Sequence, residues 1–148
     1  MIGAFKRLIS KTKDIDEISQ DSDIRLACAA LLSEAASMDM NFGDDEKKVI
    51  VELLRKRFEI SLEESQDLLE LGMKAAENGN DLLSFTKKIK DAWNSEERTK
   101  FIEMLWRVAI ADEVIDPYED MLIRRVAGLI YVNDKERGEA KKRALQIL

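Results

Sequence analysis

Histidine is absent from the 148-residue sequence, and cysteine and proline occur once each. Without histidine, the chain can form neither a Ser–His nor a Cys–His nucleophile pair, and histidine-ligated zinc sites are excluded. The single cysteine, Cys28, cannot form an internal disulfide, and its place on an apolar helix face predicts a buried structural thiol in a reducing cytoplasm. We therefore expect a cytoplasmic protein that is not an enzyme.

Glycine is also scarce, at six residues, and no glycine belongs to a phosphate loop of the GxxxxGK[ST] type. No apolar run approaches the roughly 20 residues that span a bilayer. The opening MIGAFKRLIS is too short and too charged for a signal peptide. The formal net charge of −6 repels the phosphate backbone of nucleic acids, so DNA and RNA are not expected as partners.

Apolar residues recur at helical spacing along nearly the whole chain, and alternating β-branched runs are missing. Apolar residues make up 45% of the sequence and charged residues 36%, which is typical of a soluble globular domain. The predicted fold is all-α, a single compact domain of about eight helices. The predicted helices lie near residues 2–10, 23–39, 44–58, 62–78, 81–93, 96–112, 117–131 and 134–147.

Capping signals mark several of the predicted helix boundaries. A serine or asparagine N-cap followed three residues later by a glutamate predicts a capping box. Glycine, which adopts positive φ without steric cost, is typical of helix ends. The predicted N-caps are Ser61, Asn80, Ser95 and Asn133, Glu64 completes a box with Ser61, and Gly43 and Gly79 mark ends.

The second half of the chain repeats the first. Residues 26–58, shifted by 73 positions, overlay residues 99–131, and a one-residue slip then sets Ile60 on Val132. We predict two pseudo-repeated three-helix units, about 24–79 and 96–148, in a helical domain of residues 23–148. The aligned pairs include Leu32 with Leu105, Asp39 with Asp112, Glu46 with Glu119, and Phe58 with Tyr131.

Residues 1–22 are predicted to form an amphipathic helix and a polar linker, KTKDIDEISQDS. The apolar face of the helix consists of Ile2, Phe5, Leu8 and Ile9, and its cations are Lys6 and Arg7, followed by Lys11 and Lys13. A helix of this kind can lie on a membrane surface. We favour packing against its own domain or a second subunit, which leaves a homo-oligomer open.

Two further patterns concern the tryptophans and an acidic helix face. Trp93 and Trp106 stand at core-like spacing and are assigned to packing. Glu63, Asp67 and Glu70 fall on one helix face, which predicts a solvated surface or a docking strip for a basic partner.

The stretch AIADEVIDPYED, residues 109–120, carries five carboxylates between two apolar runs. Helix capping explains some of them. Asp116 suits an N-cap, Pro117 the first helical position, and Glu119 the third, where it would complete a capping box. Glu46 has the same place in the first unit, after Gly43.

Capping does not explain Asp39 and Asp112. Both stand at the C-terminal end of a predicted helix, where a carboxylate costs about 0.3–1 kcal/mol. Backbone N–H groups of an Asx-turn, the side chain of Arg107, or a bound cation could each compensate. The cation would be held by Asp112, Asp116, Glu119 and a turn carbonyl, in a spacing that does not match an EF-hand loop.

The two acidic turns resemble those of the TerB-like domain, the helical domain of tellurite-resistance protein B. The resemblance lies in VAIADEVIDPYEDMLIRRVAGLI, residues 108–130, with a fainter copy in AASMDMNFGDDEKKVIVELL, residues 35–54. It implies an all-α fold of two repeated three-helix units and a divalent cation site formed by the turns. It also implies accessory or interaction roles at the inner face of the membrane, in tellurite and chemical-stress systems.

Carried over residue by residue, the resemblance implies a metal site of Asp39, Glu46, Asp112, Asp116 and Glu119. The sequence departs from the family pattern at the residue after each first aspartate, where glycine is usual. Met40 and Glu113 stand there instead. In the first turn Gly43 replaces the second acid, although Asp44 follows directly.

Two functional hypotheses follow. In the first, the chain is a non-enzymatic TerB-like accessory domain that binds a divalent cation, Ca²⁺ or Mg²⁺, and acts through a protein partner, in a tellurite or chemical-stress response. In the second, it is a metal-free interaction scaffold whose acids only cap helices.

Overall fold

Seven α-helices make up the described part of the chain, which comprises residues 21–38, 42–78, 82–111 and 113–146 of a computed structural model, and no strand occurs there. The predicted all-α fold is confirmed, and the helix predicted at 2–10 lies outside the described residues. None of the described helices is long and apolar enough to cross a membrane. The helices are α1 (21–37), α2 (Asp44–Phe58), α3 (Leu62–Glu77), α4 (Leu82–Ala92), α5 (Ser95–Ala109), α6 (Pro117–Leu129) and α7 (Asp134–Gln146).

The centre of the core is formed by α1 and α5, the helices that precede the two acidic turns. Every residue of α1 from Ala27 to Leu32 is fully buried, and Phe101, Ile102 and Leu105 of α5 are equally buried. Around this centre α5 packs against α7, α6 and α2, while α2 packs against α3 and α4 against α6. The acidic turns therefore begin at the ends of the two most buried helices.

The predicted burial of Cys28 and of the two tryptophans is confirmed. Cys28 is a free thiol with no exposed surface, and Trp93 and Trp106 both belong to the core. Trp93 lies between Phe58 and Phe101, with ring centroids 6.4 and 6.0 Å away. Cys28 and Trp106 follow the apolar spacing of α1 and α5, and Trp93 lies directly after α4. Periodicity within or next to a single helix is why the sequence alone located them.

Two of the predicted N-caps are confirmed and one is displaced. The Ser61 hydroxyl accepts a hydrogen bond from Glu64 N at 3.1 Å, and the Asn133 side chain accepts one from Glu136 N at 2.8 Å. The N-cap of α5 is Asn94, not Ser95, because Glu97 stands three residues after Asn94 and completes the capping box. Asn80 and Gly79 lie outside the described residues.

Residues 21 and 22, which the sequence assigned to the linker, are helical in α1. An ion pair between Arg25 and Asp21, at 3.6 Å, spans this additional turn. Gly43 is the N-cap of α2 with φ of −87°, so it does not use a left-handed conformation. At the hydrophobic-staple position before that cap, Phe42 contacts Lys47, whose ammonium lies 5.4 Å from the ring centroid.

The two three-helix units agree in backbone detail. α2 begins at Asp44 and α6 at Pro117, 73 residues later. Each is followed by a left-handed residue, which is Glu59 with φ of 51° directly after α2 and Tyr131 with φ of 60° two residues after the end of α6. The residue after each of them donates its N–H five residues back, from Ile60 to Arg55 O at 3.2 Å and from Val132 to Ala127 O at 2.8 Å.

These C-terminal turns correct the sequence alignment. Tyr131 is the counterpart of Glu59, not of Phe58, so the one-residue slip falls before the end of the helix rather than after it. Phe58 and Tyr131 match in residue type but differ in environment, because Phe58 packs against the core whereas Tyr131 is exposed. The equivalence is set by the backbone geometry of the helix end.

Candidate functional site

The candidate site consists of the two acidic turns, between α1 and α2 and between α5 and α6. Asp39 and Asp112 lie outside the described residues. The structure describes the other three predicted ligands, Glu46, Asp116 and Glu119. Each belongs to the N-terminal end of α2 or α6.

Asp116 is the N-cap of α6, as predicted. Its Oδ1 accepts a hydrogen bond from Tyr118 N at 2.8 Å, and Pro117 occupies the first helical position. The bond reaches the second helical residue, whereas the predicted capping box needs the N–H of Glu119, the third. At least one carboxylate oxygen of Asp116 is therefore engaged with the backbone.

Glu46 and Glu119 are the only buried carboxylates among the described residues, with 5% and 2% of their surface exposed. They occupy the same third helical position in α2 and α6. By contrast, Asp44 and Asp45 in the first turn of α2 are exposed. Asp120 of α6 is half-buried and accepts a hydrogen bond from Arg124 at 2.9 Å. Among the first-turn acids, only this glutamate of each unit is buried.

The side chain of Arg107 is one of the three groups predicted to compensate the charge of Asp112. Its guanidinium donates to Glu103 Oε1 at 3.2 Å, within α5. The other oxygen of Glu103 accepts from Arg143 of α7, also at 3.2 Å. Arg107 thus belongs to an α5–α7 ion-pair network. Because Asp112 lies outside the described residues, Arg107, the Asx-turn and the cation all stay predictions for it.

Glu113, the residue after Asp112, has a left-handed backbone with φ of 69°. This conformation costs a non-glycine residue about 1–2 kcal/mol, and glycine adopts it freely. The preference of the resembled family for glycine at this position therefore has a backbone explanation. Glu113 departs from the family in residue type and still adopts a conformation that glycine favours.

Metal coordination by the complete set of predicted ligands stays a prediction. Within the described ranges, no group of three or more aspartate, glutamate or cysteine side chains is placed to hold a metal ion. The full set requires Asp39 and Asp112 in addition to the three ligands described above.

A groove of about 360 Å³ adjoins the second turn, and the sequence did not predict it. Val49 and Leu53 of α2 face Ile110 and Ala111, the two residues directly before Asp112. The cations of the lining are Lys48, Lys56 and Arg107, together with one acid, Glu52. Because three helices from both units form the groove, no local pattern in the sequence could have located it.

Two equivalent three-helix units, α1–α3 and α5–α7, are connected by α4 in the described part of the chain. Each unit has one acidic turn and one buried glutamate, and together they define a small all-α domain built by internal repetition. The family model for tellurite resistance protein TerB matches residues 25–142, and the chain belongs to this family. No curated protein and no solved structure matches the chain.

Proposed function

We propose that this chain is a non-enzymatic interaction module of the TerB family that binds a divalent cation, Ca²⁺ or Mg²⁺, through its two acidic turns and acts through a protein partner. The ligands of the cation are drawn from Asp39, Glu46, Asp112, Asp116 and Glu119. The observation that carries the proposal is the burial of Glu46 and Glu119 at equivalent positions of the two units.

Capping and dipole effects do not require this burial. Exposed acids such as Asp44 and Asp45 already complement the positive end of α2 from water. Taking a carboxylate out of water costs several kcal/mol unless its environment compensates. A hard cation, which takes about six to eight oxygen ligands, is an environment that favours a buried carboxylate.

Two features of the chain support the proposal that it is not an enzyme. The chain has no histidine, and Cys28 is fully buried. Burial raises the pKa of the Cys28 thiol far above its usual range, with the charge of Arg57 opposing this only in part. The thiolate that nucleophilic chemistry requires is therefore suppressed.

The groove beside the second turn supports the proposal of a protein partner. Its apolar lining can receive apolar side chains, and Lys48 and Lys56 favour an acidic partner. The family name supports a place in tellurite or chemical-stress systems.

The alternative is a metal-free scaffold, and the hydrogen bond of Asp116 favours it. An acid that caps α6 at 2.8 Å has a structural role without any ion. In this alternative the acids of the turns stabilise the helix ends only, and partner binding does not depend on metal.

Calorimetric titration of the metal-stripped chain with Ca²⁺, Mg²⁺, Mn²⁺ and Zn²⁺ separates the two functions. We expect saturable heat in the wild type and its loss in Glu119→Gln and Asp112→Ala. Asp45→Asn is the matched control, because Asp45 is an exposed first-turn acid outside the proposed ligand set. An ion concentration 100 times the dissociation constant should also raise the free energy of unfolding by about 2.7 kcal/mol.

Three outcomes would contradict the metal proposal. They are an absence of heat up to millimolar ion, binding that survives in both ligand variants, and equal loss in the Asp45→Asn control. The first would leave the metal-free scaffold as the function.

A further inference from the structure

A second groove, of about 430 Å³, lies between α1 and α3, away from the acidic turns. We call it the α1–α3 groove. Its apolar residues are Leu26 of α1, Ile60 before α3, and Leu68 and Leu71 of α3. Leu71 is 56% exposed, so a large apolar side chain of the groove remains in water. Covering this surface would remove apolar area from water, which favours docking.

The groove is rimmed by carboxylates. Asp23, Glu64 and Asp67 line it, and α3 as a whole carries five acids against one cation, Lys74. Arg25 is the cation of the lining, and its guanidinium pairs with Asp21 and lies 5.4 Å from the Phe58 ring centroid. The surface that the groove presents to a partner is therefore apolar and acidic.

The first 13 residues of the chain have the complementary chemistry. They contain four cations and no acid, in a chain whose net charge is −6. Their apolar residues fall on one face at helical spacing. We propose that residues 2–13 dock in the α1–α3 groove of the same chain, with their apolar face on Leu68 and Leu71 and their cations beside Asp23, Glu64 and Asp67.

The connection is long enough to allow this arrangement. The lining of the groove begins at Ser22, directly after the point where the chain enters the described part of α1. Residues 14–20 can span about 23–25 Å when extended, and 12 residues in a helix are about 18 Å long. A covalent tether of this length gives an effective concentration in the millimolar range, so a weak interface suffices. This favours the chain's own segment over a second copy.

Paramagnetic relaxation in the full-length chain tests the proposal. A nitroxide attached through Ser10→Cys reports on its surroundings, and Cys28 is buried and does not take the label. We expect broadening of the amide signals of Leu26, Leu68 and Leu71. The amides of Val49 and Leu53, in the groove beside the second turn, serve as the internal reference.

Leu71→Lys is the disrupting variant and Leu83→Lys the matched control. The two leucines are equally exposed, at 56% and 57%, but Leu83 lies on α4, outside the α1–α3 groove. We expect the broadening to be lost in Leu71→Lys and retained in Leu83→Lys. Because both leucines are exposed, we expect both variants to keep the far-ultraviolet circular dichroism of the wild type.

Other outcomes would overturn the proposal. Broadening that is absent, that lies outside the groove, or that responds equally to both variants excludes docking at this surface. In a second sample, nitroxide-labelled chain is mixed with isotope-labelled chain that carries no nitroxide. Broadening of the groove amides in the isotope-labelled chain would then assign the contact to a second copy. Binding to phosphatidylglycerol vesicles without broadening in the groove assigns the segment to a membrane surface.

Discussion

Gly72 provides the most direct test of the packing between α1 and α3. A Cβ atom added at Gly72 would lie 2.6 Å from the carbonyl carbon and the Cβ of Ala29, and 2.9 Å from its carbonyl oxygen. Favourable contacts between carbon atoms occur at about 3.5–4.0 Å, so the two helices would have to separate by roughly 1 Å. The obstacle is backbone and Cβ of a buried helix, which cannot rotate away as a long side chain can.

Two opposing terms decide the effect of Gly72→Ala. Alanine in a helix interior gains about 1 kcal/mol over glycine. Overpacking a well-packed core costs about 1–3 kcal/mol, and more when the backbone must move. Because α1 is fully buried here and the obstacle is its backbone, we take the steric cost at about 3 kcal/mol, the upper end of that range, and expect the free energy of unfolding to fall by about 2 kcal/mol. At about 2–4 °C per kcal/mol, the thermal midpoint should fall by about 4–8 °C.

Gly138→Ala is the matched control. Gly138 is an exposed residue of α7, and an added Cβ would meet nothing within 4 Å. Only the propensity term applies, so we expect a gain of about 1 kcal/mol. Urea denaturation followed by circular dichroism measures both variants. A Gly72→Ala protein as stable as Gly138→Ala would refute the close approach of α1 and α3 at Ala29 and Gly72.

Three further predictions concern single side chains. Cys28 should not react with a thiol reagent until the protein unfolds, because burial removes it from solvent and raises its pKa; rapid native-state labelling would contradict this. Burial raises the pKa of Glu34, and the charge of Arg125 opposes this shift. The contribution of Glu34 to stability is therefore fully present below the pKa of the unfolded state, and it is lost as pH rises through the pKa of the folded state. Glu34→Gln should therefore stabilise the protein more at neutral pH than at about pH 4. Urea denaturation at the two pH values measures this, and an equal effect at both would refute the raised pKa of Glu34. Asn94→Ala should cost about 1 kcal/mol in the same assay and Ser95→Ala much less, and the reverse order would return the N-cap to Ser95.

The accuracy of the sequence predictions follows the range over which each signal acts. The Ser61 and Asn133 caps involve residues three positions apart, and both were located correctly. The N-cap of α5 was placed one residue late, although the spacing from Asn94 to Glu97 contains the signal that identifies it. The burial of Trp106 followed from apolar periodicity within a single helix.

The register between the two units was harder to predict. Similar side chains at Phe58 and Tyr131 suggested an equivalence that the left-handed backbone at Glu59 and Tyr131 replaces. The position at which a helix ends is set by backbone geometry, so equivalent residues such as Glu59 and Tyr131 need not share side-chain chemistry. An alignment by residue type therefore placed the slip on the wrong side of the helix end.

By itself, the sequence determined the helical class, most of the helix boundaries, the core positions and the family, because each depends on periodicity or on a local motif. Only the tertiary structure decided which acids of the turns are buried. Asp45 and Glu46 are neighbours in the first turn of one helix, yet one is exposed and the other buried. Burial depends on helices that are distant in the chain, and the same is true of both grooves. The candidate site therefore required the fold, because a carboxylate's environment is set by what packs around it rather than by its neighbours in sequence.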